Sequence, residues 1–302
     1  MNLSQIIKDV LYELVLRSST SVCSDTIEKL KEFLVLEQNN PITKTTLELM
    51  LQNIQYGHKH KIPLCQDTGH INFFIQLGDK FPIISNFKDE ALEILQKLTA
   101  ESKIRPNTVD PLTQENEGQN GGINQPPIYI DIIPNSSELV VTVLNKGGGS
   151  ENMSTLLMLS AATGFQDLIP EVISHIEQIG GKPCPPTIIG VGLGGDASKC
   201  MIMAKKALLR PLGSKNKRED VANLENSLLS EINNLNIGIM GLGGHSNCLD
   251  VRIEVAMRHP ATFPVGIAVE CYCHRTESCC ISSSGEVSYG RLDRDFKFEE
   301  VK

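Results

Sequence analysis

Pro63-Leu64-Cys65-Gln66-Asp67-Thr68-Gly69 is the stretch from which the rest of the chain is best read. Before it, residues 43–56 place Leu47, Leu51 and Ile54 on one face, the spacing of an amphipathic helix. After it, Ile71-Asn72-Phe73-Phe74-Ile75 is an apolar run of strand length. The loop between them carries a thiol, an amide, a carboxylate and a hydroxyl, and Gly69 permits a tight turn at its end. Groups of that chemistry on a loop held between rigid elements are where ligands and reacting groups tend to lie. Taken alone, the loop has a plainer reading: a connection with a buried free cysteine and a solvated Asp.

Toward the N-terminus, residues 1–36 read as two helices, with Ser24-Asp25 as the N-cap of the second and a break at Asn39-Asn40-Pro41. Toward the C-terminus, residues 87–102 are helical again, with Ala91, Ile94, Leu95 and Leu98 inward. Residues 103–127 form a long polar loop containing Arg105-Pro106-Asn107-Thr108, and loops of that length are functional or disordered. Residues 128–133 and 138–144 read as strands paired around Pro134-Asn135. Lys146-Gly147-Gly148-Gly149-Ser150-Glu151-Asn152 then reads as a strand running through glycines into a helix at Met153. Consecutive glycines leave backbone N–H groups able to approach an anion, or simply make a flexible turn.

Residues 170–179 are a helix, followed by Lys182-Pro183-Cys184-Pro185-Pro186 and a strand over 187–191. The prolines fix the backbone around Cys184 and exclude it from a regular ladder, whether it is a ligand or a core thiol. Helices are expected over 197–209 and 219–233. A strand over 249–257 shows Val251, Ile253 and Val255 on one face. Another over 263–269 arrives at Glu270-Cys271-Tyr272-Cys273-His274-Arg275, and a short hairpin is expected after Ser283. No repeat or linker marks an internal boundary, so residues 1–302 read as one catalytic domain, within which two subdomains would have no visible border.

Composition limits the function. Hydrophobic residues at 40% and charged residues at 21% describe an ordinary folded protein. No apolar run reaches bilayer length. Residues 1–16 carry Lys8, Asp9 and Glu13 within the apolar pattern, which is not a secretory signal, so a cytoplasmic location is expected. A net charge of −8 argues against general affinity for nucleic acid. The basic stretch from Lys205 to Arg218 has no interleaved aromatics and reads as a solvated helix end and loop. The nine cysteines are odd in number and scattered, and no paired CxxC motif is present, which argues against a disulfide framework and a zinc finger. Each thiol is therefore a core residue or a ligand. Gly190-Val191-Gly192-Leu193-Gly194-Gly195 fits a dinucleotide-binding turn between strand and helix, but no second apolar strand ending in an acidic residue completes the unit.

These motifs, in this order, resemble the α subunit of the class I, iron–sulfur fumarate hydratases, which are related to L(+)-tartrate dehydratase. The resemblance rests on Cys65-Gln66-Asp67-Thr68-Gly69, Lys146 through Ser154, Cys184-Pro185-Pro186 and Gly190 through Gly195. It also rests on Ala207-Leu208-Leu209-Arg210-Pro211-Leu212-Gly213-Ser214 and Gly241-Leu242-Gly243-Gly244. It implies an α/β fold of mixed sheets flanked by helices, of the class I fumarase N-terminal catalytic type.

By the same resemblance, Cys65, Cys184 and Cys271 ligate a [4Fe–4S] cluster, and three thiolates for four irons leave one iron open as a Lewis acid. Cys273 competes with Cys271 as third ligand; Cys271 is favoured because it directly follows the strand. The resemblance implies Asp67 for proton transfer or orientation, Gln66 and the Gly148 N–H against the substrate, and His259 nearby as a catalytic group. Arg105 is implied as a carboxylate clamp, because a guanidinium binds carboxylate bidentately. It further implies a β subunit that carries the rest of the active site, an α2β2 assembly and a dicarboxylate substrate. The glycine motif is closer to the fumarate branch than to the tartrate branch.

Overall fold

The computed structural model describes residues 3–82, 86–162 and 164–290. The first elements are α1 (Leu3–Thr20), α2 (Ser24–Leu36), α3 (Pro41–His60), β1 (His70–Gly78), α4 (Phe87–Ala100), β2 (Ile128–Ile133) and β3 (Glu138–Lys146). They are followed by α5 (Gly148–Glu151), β4 (Thr155–Leu159), α6 (Gly164–Ile179), β5 (Thr187–Gly195), α7 (Ala197–Ala207) and α8 (Glu219–Asn233). A 3-10 turn, Ile239–Gly241, precedes β6 (Cys248–Arg258), β7 (Phe263–Glu270), β8 (Thr276–Ser282) and β9 (Val287–Tyr289). The architecture is mixed α/β, and the chain divides into two compact units. One contains Asn53–Lys146 with the described residues up to Ser24 and from Arg275 onward. The other contains Asp25–Gln52 and Gly147–His274. Both units are assembled from separated segments, so no single linker betrays the division.

The first unit is a five-stranded sheet in the order β2-β1-β3-β8-β9. Alternate residues of its strands (Ile71, Phe73 and Ile75; Leu139, Val141 and Val143; Cys279 and Ile281) meet the apolar stripes of α1 and α4. The expected pairing of residues 128–133 with 138–144 is not made, because β1 lies between those strands. It runs parallel to β2 and antiparallel to β3. The connection from β2 to β3 passes over the end of β1 at Gly78, where a Cβ would stand 2.4 Å from the Ser136 carbonyl oxygen. Lys80 N–H donates to that same carbonyl at 2.9 Å. The hairpin expected after Ser283 begins earlier, with β8 pairing β9 antiparallel; residues 291–302 lie outside the described residues.

The second unit is a four-stranded sheet in the order β4-β7-β5-β6. Residues 155–159 form a strand antiparallel to β7 instead of the helix expected at Met153. A five-residue apolar run is too short for periodicity to separate the two outcomes. The helix expected from Pro170 begins at Gly164, where a Cβ would fall 1.7 Å from the Phe263 ring. Ile189, Val191 and Leu193 of β5 face α6 and α8.

The alternate positions of β5, Gly190 and Gly192, face α7. A Cβ at Gly190 would lie 2.1 Å from the Ala204 carbonyl oxygen, and one at Gly192 would lie 2.0 Å from that of Cys200. The glycine motif therefore lies within a strand and seats a helix against the sheet. The first amides of α7, Ser198 N–H and Lys199 N–H, already donate to the Asp196 carboxylate at 2.9 and 2.8 Å. A dinucleotide phosphate finds no vacant helix terminus there, so the dinucleotide reading is corrected. Gly192→Ala is expected to force α7 from the sheet and cost about 3 kcal/mol, the upper end for overpacking a core. An unchanged urea midpoint would refute this.

Among the described residues, no helix is long and apolar enough to cross a membrane. Of the basic stretch, Lys215, Lys217 and Arg218 are exposed, as expected of a solvated loop, whereas Lys205 and Arg210 are engaged internally. Lys205 pairs with Glu151 at 2.5 Å and Arg210 with the buried Glu225 at 2.8 Å.

Candidate active site

The Cys65 loop belongs to the first unit. Its entry is fixed by Leu64 N–H donating to the Ser19 carbonyl at 3.0 Å and by Asn53 Nδ2 donating to the Leu64 carbonyl at 2.8 Å. Its exit requires Gly69, whose φ of +82° is combined with a Cβ position 2.7 Å from the Asn145 backbone. Asp67 Oδ1 accepts from Gly69 N–H at 2.9 Å and from Asn107 Nδ2 at 3.3 Å. The Asp67 carbonyl accepts from the buried Arg275 guanidinium.

Thr68 is buried, and its Oγ1 accepts from Arg105 N–H at 2.9 Å. Arg105 Nη1 in turn donates to the Gln66 carbonyl at 3.3 Å. The fold thus brings Gln66, Asp67 and Arg105 together across the whole of β1 and α4. Gln66 and Arg105 are exposed and Asp67 is half-buried. Asn107, Asn120 and Arg275, which hold this loop, carry no sequence signal that marks them. They are polar residues outside any periodic pattern.

Gly148, Cys184 and Cys271 belong to the second unit. Gly147 caps the single turn of α5, which Glu151 fastens to α7 through Lys205. A Cβ at Gly149 would stand 3.8 Å from the Lys182 carbonyl oxygen, so the glycine turn lies beside the segment that delivers Cys184. Cys184 is exposed and has a φ of +57°, a left-handed conformation uncommon for a side-chain-bearing residue. Conformations of that kind cluster at functional sites.

The Cys184 carbonyl accepts from Tyr272 N–H at 3.4 Å. Ile188 of β5 is opposite Glu270 of β7. Cys184 and Cys271 therefore stand at one end of the same sheet. Cys271 Sγ lies 3.6 Å from Glu270 Oε1. His259 is not brought to that end. It occupies the turn between β6 and β7, exposed, with Nδ1 accepting from Ala261 N–H at 3.1 Å. The 8 residues of β7 separate it from Cys271, a span of roughly 26 Å.

The nine cysteines sort by accessibility. Cys23, Cys200, Cys248, Cys273, Cys279 and Cys280 are buried, whereas Cys65 and Cys271 are half-buried and Cys184 is exposed. Burial pushes the Cys248 and Cys279 thiols up to about 12 and Cys280 up to about 11, and it raises Cys200 as well. The metal ligand is the thiolate, so those four are poor ligands. The three thiols that fit a cluster by accessibility are Cys65, Cys184 and Cys271, and Cys273 is buried at 1% exposure. Among the described residues, no three His, Cys, Asp or Glu side chains are gathered to hold a single metal ion. A cubane makes a different demand, since each thiolate binds its own iron.

Comparison with known proteins identifies a hydro-lyase. A family model described as fumarate hydratase (Fumerase) matches residues 8–279, nearly the whole chain, and the chain belongs to that family. A Methanocaldococcus jannaschii protein named "Putative L(+)-tartrate dehydratase subunit alpha" is 40% identical over 272 residues, covering 89% of this chain and 95% of its own. The L(+)-tartrate dehydratase subunit alpha of Escherichia coli strain K12 is 32% identical over 257 residues, covering 85% of this chain and 84% of its own. The Shigella boydii serotype 4 protein of the same name matches to the same extent, 32% over 257 residues.

Proposed function

We propose that the chain is the α subunit of a class I iron–sulfur hydro-lyase that reversibly adds water to fumarate, giving (S)-malate. The observation that carries the proposal is the sorting of the thiols: in a chain of this family, the accessible three are Cys65, Cys184 and Cys271. These three hold the cluster. When bound, the [4Fe–4S] cluster supplies a Lewis-acidic iron for the substrate hydroxyl and carboxylate.

The chain's own residues do the rest of its share. Arg105 clamps a carboxylate with its exposed guanidinium, since planar N–H pairs match a carboxylate bidentately. The Gln66 amide and the Gly148 N–H orient the dicarboxylate. Asp67 lies beside Arg105 and moves or orients the proton lost from the methylene carbon adjacent to the hydroxyl-bearing carbon, a weakly acidic C–H that needs a placed base. Within the chain His259 stands apart from this set, at the far end of β7 from Cys271.

Gln66, Arg105 and Cys184 are exposed in the chain alone, so water is not excluded from the groups that would do the chemistry. The relatives above carry the name subunit alpha. A β subunit completes this site, in an α2β2 assembly. The isolated, anaerobically reconstituted chain is expected to bind the cluster and to hydrate fumarate at least ~100-fold more slowly than the α–β complex, the scale of losing several positioned groups. Full turnover by the chain alone would overturn this. L(+)-tartrate is the second reading, favoured by the names of the relatives. Assay of the complex on fumarate, malate and both tartrate enantiomers decides between them, and faster loss of water from L(+)-tartrate than from malate would replace the first reading.

A further inference from the structure

We infer that Asn107 is a positioning residue of this site, setting the direction of the Asp67 carboxylate through its side-chain amide. The inference rests on the role proposed above for Asp67. Asn107 Nδ2 lies 3.3 Å from Asp67 Oδ1, 3.1 Å from Thr68 Oγ1 and 3.1 Å from the Gly69 carbonyl oxygen. A primary amide has two N–H groups for these three acceptors, so they share it. With Gly69 N–H on the same oxygen at 2.9 Å, Asp67 Oδ1 meets two donors. Two donors from different segments fix the direction of that oxygen more firmly than one, because χ2 has no sharp preference in Asp.

Asn107 is itself held. Its backbone N–H donates to Asn120 Oδ1 at 3.0 Å. Asn120 is buried, and its Nδ2 donates to Thr99 Oγ1 near the end of α4 and to the Arg105 carbonyl, each at 2.8 Å. Arg105 N–H closes the circuit on Thr68 Oγ1. One hydrogen-bonded network therefore ties the Asp67 carboxylate to the backbone of Arg105, and it is anchored on a helix rather than on the loop alone. Such support is what holds a reacting group within the fraction of an ångström that catalysis requires. An amide suits the position because it donates to a carboxylate without adding charge.

The test uses the reconstituted α–β complex with fumarate and malate. Asn107→Ala is expected to retain the iron–sulfur absorption and a KM within about twofold, and to lose kcat by roughly 10- to 100-fold, the scale of a small misplacement. Asn107→Ser keeps a donor, should lose less, and serves if the alanine variant does not fold. In an Asp67→Asn background, Asn107→Ala is expected to cost less than about twofold, because residues acting through one another are not additive. Equal losses in both backgrounds, or a rise in KM with kcat preserved, would reduce Asn107 to a loop staple. A fully active Asn107→Ala beside an inactive Asp67→Asn sinks the positioning role alone. A fully active Asp67→Asn sinks the role of Asp67 and the positioning role with it.

Discussion

Cys65→Ser, Cys184→Ser and Cys271→Ser, made singly, are each expected to strip the brown iron–sulfur absorption from the anaerobically reconstituted complex. Turnover should fall by roughly 10³-fold, the equivalent of several kcal/mol of Lewis-acid stabilisation. Cys273→Ser is expected to keep both. A neutral hydroxyl is a poor substitute for a soft thiolate on iron. Cys273 differs from Cys271 by two positions but is buried at 1% exposure, while Cys271 is half-buried where β7 ends. In the cluster-free chain, the same three accessible thiols should alkylate first, and Cys248 and Cys279, pushed up to about 12 by burial, should alkylate last. Iron and sulfide analysis of each variant, with circular dichroism to show that it is folded, gives the measurement. A brown Cys271→Ser beside a colourless Cys273→Ser would transfer the third ligand to Cys273.

Much of the local structure behind this expectation is visible in the chain itself. The stripe Ala91, Ile94, Leu95 and Leu98 and the run 219–233 fold as helices because their apolar spacing admits little else. What escapes is non-local. β1 pairs in parallel with β2 across α4 and a long loop, and no spacing within either strand records that partner. The motif at Gly190–Gly195 shows how one pattern serves two ends. Glycine removes a Cβ, which admits a phosphate in one protein and the backbone of α7 here. The roles of Asp67 and Arg105 are implied by resemblance and not by any local pattern. That Arg105 N–H meets Thr68 and that Asn107 reaches Asp67 depends on how residues 103–127 fold, and a polar loop of that length has no periodicity from which to infer it. The two-unit division is hidden for a related reason: each unit is closed by segments distant in sequence.

Asp67→Asn is expected to leave the cluster absorption intact and lower kcat by about 10²- to 10⁴-fold, the range for loss of a placed general base, with little change in KM. The substitution is nearly isosteric and keeps an oxygen able to accept from Gly69 N–H and the Asn107 amide, so the loop should hold its shape. The carbonyl that Arg275 holds belongs to the backbone and is unchanged. What disappears is the charge, and with it the capacity to take a proton. A near-normal rate would remove Asp67 from catalysis, and a colourless protein would make it a structural partner of Cys65. The sharper measurement separates its two possible duties. Malate deuterated at the methylene carbon, adjacent to the hydroxyl-bearing carbon, reports C–H cleavage, and exchange of that hydrogen with solvent reports it without loss of water. If Asp67 carries the proton, both exchange and water loss fall together in Asp67→Asn. If exchange persists at the wild-type rate while water loss fails, the base lies elsewhere, and Asp67 only orients the substrate against Arg105.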